Sequence, residues 1–74
     1  MKTLPEKIET WLVERLGRGP GRMIDFLMVL QCDEKLIRPG LEGERLVRKA
    51  LESLKRRGIV SFDRKAGNSW VLVK

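Results

Sequence analysis

Arg45, Arg48, Lys49 and Arg56 recur at intervals of three, four and seven residues in one stretch of the chain. Wound at about 100° per residue, Arg45, Lys49 and Arg56 come to one face, with Arg48 beside them. Such a row does recognition chemistry. A guanidinium fork fits a phosphate, or the O6 and N7 of guanine, through two parallel hydrogen bonds, while a lysine is a compact cation without that shape. Arg64 and Lys65 form a second basic cluster near the end of the chain, and Asn68 beside them offers an amide or a turn residue. Arg22 follows a Gly-Pro-Gly run and precedes an apolar helix. A helix N-terminus with an arginine nearby is a ready anion site; the alternative is a solvated loop.

Bond-making chemistry finds few candidates. There is no histidine, which removes the commonest general base and the commonest metal ligand. One cysteine, Cys32, permits neither an internal disulfide nor a zinc knuckle, and is read as a buried thiol at a helix end. Gly17, Gly19 and Gly21 lie between two helices, which is the wrong context for a phosphate cradle opening from a strand. Asp33 and Glu34 have no nucleophile or base at a useful spacing. No enzyme, cofactor or metal site is expected.

The elements that position these groups follow from hydrophobic period. A first helix is expected over about 4–16, opened by the T-x-x-E capping spacing of Thr3 and Glu6 with Pro5 in its first turn. Its stripe is Leu4, Ile8, Trp11, Leu12 and Leu16. A second helix over about 22–31 is apolar nearly all round. Its stripe needs Met23, Phe26, Leu27 and Leu30, so Ile24, Met28 and Val29 are surplus and call for a cover. A polar connection from Asp33 to Gly40, with a short turn around Glu34 to Ile37, leads to a third helix over about 42–57. Gly43, Val47, Ala50, Leu51 and Leu54 form its inner stripe. Glu42 and Glu44 at its start, and Lys55, Arg56 and Arg57 at its end, suit the helix dipole. The period then changes. Residues 59–73 read as a β-hairpin with a basic tip at 64–68, and at least one of Phe62 and Trp70 is expected to pack on the third helix. The fold class is α+β, mainly α, in one domain spanning 1–74.

The segment Leu46-Val47-Arg48-Lys49-Ala50-Leu51-Glu52-Ser53-Leu54-Lys55-Arg56-Arg57-Gly58-Ile59-Val60 resembles the recognition helix and first wing strand of winged helix-turn-helix DNA-binding domains. The pattern is V-R-x-A-L-x-x-L-x-x-x-G-I/L-V/I. About 28 residues, Leu46 to Val73, carry it. The resemblance implies the third helix in the major groove of double-stranded DNA and the hairpin tip on the neighbouring backbone. It makes Arg45, Arg48, Lys49, Arg56, Arg64, Lys65, Arg22 and Asn68 the DNA-binding candidates, with Ser69 as a further phosphate donor. The alternative for the helix face is solvent, laced by Arg48–Glu52 and Glu52–Arg56 pairs.

Sixteen Lys and Arg against ten Asp and Glu give +6 on 74 residues, a strong field for so small a surface. The expectation is a small transcriptional regulator of a prokaryote, phage or plasmid. Rival readings are a winged-helix adaptor that docks a protein partner, or an RNA-binding winged helix. The surplus face of the second helix makes a homodimer a further expectation. No apolar run approaches the roughly 18 residues of a membrane span, and Met1 to Glu6 lack the apolar stretch of a signal peptide. A cytoplasmic, nucleoid-associated protein is expected.

Overall fold

The computed structural model describes residues 3–65 and 67–73. Ala66, in the expected wing tip, and Met1 and Lys2, in the stretch read against a signal peptide, lie outside them. Three helices precede a two-stranded antiparallel hairpin: α1 (Leu4–Leu16), α2 (Met23–Cys32), α3 (Leu41–Arg56), β1 (Val60–Asp63) and β2 (Ser69–Leu72). This is a winged-helix layout, with α2 starting one residue later and α3 one residue earlier than expected.

Each helix forms where the period places it. The Thr3 hydroxyl accepts the Glu6 N–H at 3.4 Å and caps α1. Ile8, Leu12 and Leu16, four residues apart, are buried along one stripe. Trp11 lies at the rim of the core, edge-on to the fully buried Phe26 with ring centroids 5.9 Å apart. From α3, all five residues of the expected inner stripe, Gly43, Val47, Ala50, Leu51 and Leu54, are buried. Full burial of Val47, Leu51 and Leu54 contributes about 1.5–3 kcal/mol each, which fixes the rotation of α3 about its axis.

The connection between α2 and α3 departs from expectation. No helical turn forms around Glu34 to Ile37. Lys35 adopts φ 52°, which breaks any right-handed turn there. The chain folds back onto α2 instead: the N–H groups of Asp33 and Glu34 donate to the Val29 carbonyl, and Leu36 N–H donates to Leu30 O at 2.9 Å. Ile37 drops into the core against Gly43, where a Cβ would stand 2.7 Å from the Arg38 carbonyl oxygen. The long connection is thereby pinned, and it delivers α3 closely against the end of α2.

At the other end of α3, Gly58 turns the chain with φ 72° and Val60 enters the core. β1 and β2 pair Val60 with Leu72, Ser61 with Val71, Phe62 with Trp70 and Asp63 with Ser69. Gly21 adds a single bridge on the free side of β2. Its N–H donates to Trp70 O at 3.1 Å, and Trp70 N–H donates to Gly21 O at 2.7 Å. The segment expected as a plain loop thus supplies a rudimentary third strand that ties the wing to the helices.

Two further expectations are corrected. Cys32, the last residue of α2, is exposed rather than buried. It falls two turns from Ile24 and one from Met28, which places it on the outward side of the helix. Ser69 is buried, 5% exposed, at the start of β2, so it is withdrawn from any phosphate.

Candidate nucleic-acid interface

The inner stripe of α3 dictates its outer one. With Val47, Leu51 and Leu54 inward, Arg45, Lys49, Glu52 and Arg56 fall within about 60° of one another on the opposite side, and all four are exposed. Arg45 and Arg56 lie eleven residues apart, about 16 Å along the axis, roughly half a turn of duplex. The row holds three cations and one carboxylate. Glu52 makes no ion pair among the described residues.

Arg48 sits on the flank of this row. It pairs backwards with Glu44, Nη2 to Oε1 at 3.0 Å, and not forwards with Glu52. The glutamate-first order at i,i+4 is the favoured one, because it agrees with the helix dipole. The guanidinium side chain remains 65% exposed, so the pair is weak and Arg48 is free to exchange partners.

The wing tip is a built turn. The Asp63 carboxylate accepts the Lys65 N–H at 2.9 Å, and Asn68 N–H donates to Arg64 O at 3.5 Å. Gly67 and Asn68 both have positive φ, 74° and 57°, so Asn68 serves the turn through its backbone. Arg64, Lys65 and Asn68 are exposed. Arg22 belongs with them: it occupies the N-cap position of α2 in extended backbone, without a side-chain cap hydrogen bond, and its Nη2 lies 3.1 Å from where a Cβ on Gly67 would stand. Arg22, 45 residues away from Gly67 in sequence, is brought to the tip by the Gly21–Trp70 bridge beside it.

Two cationic groups result, the α3 row and the wing tip with Arg22. The molecule measures 30 × 25 × 20 Å, so both lie within one turn of duplex, about 34 Å. Sequence reasoning missed one surface feature of the wing. Trp70 packs against the core, but its cross-strand partner Phe62 stays 41% exposed, edge-on to it with centroids 5.3 Å apart. The alternation in β1 is the signal for it, since Phe62 shares the face of Val60 yet lies one step beyond the helices.

Among the described residues no cluster of three His, Cys, Asp or Glu is arranged to hold a metal ion, and no helix is long and apolar enough to cross a membrane. No protein family, no curated protein and no solved structure matches the chain.

Proposed function

We propose that the chain is a duplex-DNA-binding protein, a small transcriptional regulator in which α3 lies in the major groove and residues 64–68 grip the adjoining backbone. The observation that carries this reading is the exposed row Arg45, Lys49 and Arg56 on a helix whose opposite side is locked by five buried residues. Arg45, in the N-terminal half, and Lys49, just past the midpoint, are the base-reading candidates, with Arg48 available once it leaves Glu44. Arg22, Arg64 and Lys65 contact phosphate. Nothing in this reading requires catalysis or a cofactor.

The test is a fluorescence-anisotropy titration of labelled duplex at several salt concentrations. Neutralising four to six phosphates gives a slope of log K against log salt of roughly −4 to −5. Flat salt dependence, or no binding at low salt, overturns the reading. Tighter binding to a structured RNA than to duplex DNA transfers it to RNA.

A second reading rests on a separate observation. Ile24 and Met28, one turn apart on α2, are 63% and 60% exposed, so these two members of the surplus apolar face have no cover among the described residues, while Val29 is half-buried. Self-association through this face, or docking of a protein partner, would supply one. Sedimentation equilibrium of the chain alone distinguishes them: a monomer leaves only a partner.

A further inference from the structure

The DNA reading leaves the concave surface beside α1 unused. An open groove of about 500 Å³ runs between α1 and the C-terminal end of α3. Its floor is apolar: Val13 and Ile59 are half-buried against the core, and Leu54 is buried beneath them. Its rim is acidic, with Glu6, Glu9 and Glu14 all lining it. Arg57 is the one cation lining it among the described residues, and it is held by Glu9, Nη1 to Oε1 at 3.5 Å. Glu6 and Glu14 are exposed and make no ion pair among the described residues. Among the described lining residues, three carboxylates against one guanidinium leave this groove negative on a molecule of net charge +6.

Charge sign restricts the occupant. A phosphate backbone or an anionic membrane is repelled by this rim. A peptide with cations flanking an aliphatic side chain is attracted, and its apolar group has a floor to cover. Glu6 and Glu14 are eight residues apart, about 12 Å along α1. Two cations seven or eight residues apart on a second helix have the same separation.

We propose that this groove docks a cationic amphipathic helix of a partner protein, with one aliphatic side chain on Val13 and Ile59 and two Lys or Arg on Glu6 and Glu14. The groove meets α3 at Arg57, about 100° around the helix from Arg56, so the α3 row stays open while it is filled. The proposal stands whether or not the chain binds DNA.

The probe is a synthetic helical peptide of about twenty alanine-rich residues, beyond the roughly 12–15 below which an isolated helix is marginal, with leucines one turn apart and arginines seven residues apart. A scrambled peptide of the same composition is the control. Amide chemical shifts of the full chain are followed by NMR. The expected result is perturbation concentrated on residues 6–14 and on Leu54, Arg57 and Ile59, with weaker binding of the scrambled peptide. The Glu6→Gln, Glu14→Gln double variant should bind about three- to tenfold more weakly, the yield of two exposed ion pairs. Both positions are exposed, and an unchanged circular dichroism spectrum verifies the fold. Equal binding of both peptides, undiminished binding by the double variant, or perturbations centred on Ile24 and Met28 overturn the proposal. So does self-association that Glu14→Gln abolishes, which would make the occupant a second copy of this chain.

Discussion

Gly21→Ala tests how the wing is tied to the helices. The φ of Gly21 is not positive, so alanine meets no backbone penalty there. Its added Cβ, however, would stand 2.5 Å from Cε1 and 2.8 Å from Cζ of Phe26. Ordinary carbon contacts are about 3.5–4.0 Å, so something must move by about 1 Å. Phe26 is fully buried and wedged edge-on against Trp11, and Gly21 is held on its other side by two hydrogen bonds to Trp70. Overpacking of this kind costs about 1–3 kcal/mol. The narrower unfolded ensemble of alanine offsets about 0.4–1 kcal/mol. The net expectation is a loss centred on about 1.3 kcal/mol (range about 0–2.6), which in a domain this small lowers Tm by roughly 5–10 °C at its centre. Urea unfolding followed by tryptophan fluorescence measures it. A double-mutant cycle with Phe26→Leu then isolates the contact. In the leucine background the offending ring atoms are gone, and the cost of Gly21→Ala should fall below about 0.5 kcal/mol. An alanine variant as stable as the parent, or a cost unchanged by Phe26→Leu, would show that this close approach does not constrain the bridge.

Gly58→Ala should destabilise by about 1–2 kcal/mol through the left-handed backbone alone, since φ is 72° and no atom lies within 4 Å of the added Cβ; Gly58→Asn should cost less in the same urea assay. Ile24→Asp should leave stability within about 0.5 kcal/mol, because the side chain is 63% exposed and an acid in the first turn of α2 suits its dipole. If sedimentation finds the parent dimeric through that face, the same substitution should give a monomer mass.

What the sequence made legible was whatever carries a period over several turns. The inner stripe of α3 is an unbroken 3.6-residue pattern, so its rotation, and with it the outward row of Arg45, Lys49 and Arg56, could be read without coordinates. The Gly21 bridge could not. One residue pairing with one residue has no period, and the Gly-Pro-Gly run around it reads as a turn. The placement of Arg22 against the wing tip was hidden for the same reason, since it depends on that long-range pairing. Cys32 was misjudged because a cysteine at the end of an apolar helix resembles core, although its spacing from Ile24 and Met28 sets it on their exposed side. The α1 groove escaped notice because its acids look like ordinary solvated positions until Leu54 and Ile59 are brought beneath them.

The wing illustrates how so small a domain can hold an exposed cationic surface in shape. Long cationic side chains lose rotamer freedom when they bind, and the fold cannot prevent that. It can prevent a backbone cost. An isolated two-stranded hairpin is marginal in water, so the wing needs anchors beyond its own pairing. Val60 supplies burial at its base. Val73 N–H donating to Ile59 O at 2.8 Å extends the ladder below β1, and Gly21 pairs with the far side of β2. Past the last pair, Asp63 with Ser69, the tip is held by the Asp63 carboxylate on Lys65 N–H, and Arg22 lies beside Gly67. These contacts set the direction in which Arg64 and Lys65 leave the hairpin before any ligand arrives. Loosening the Gly21 bridge therefore acts on the tip at a distance. On the proposed DNA-binding reading, it should weaken duplex binding with an unchanged salt slope, because the same phosphates are neutralised by a less ordered backbone.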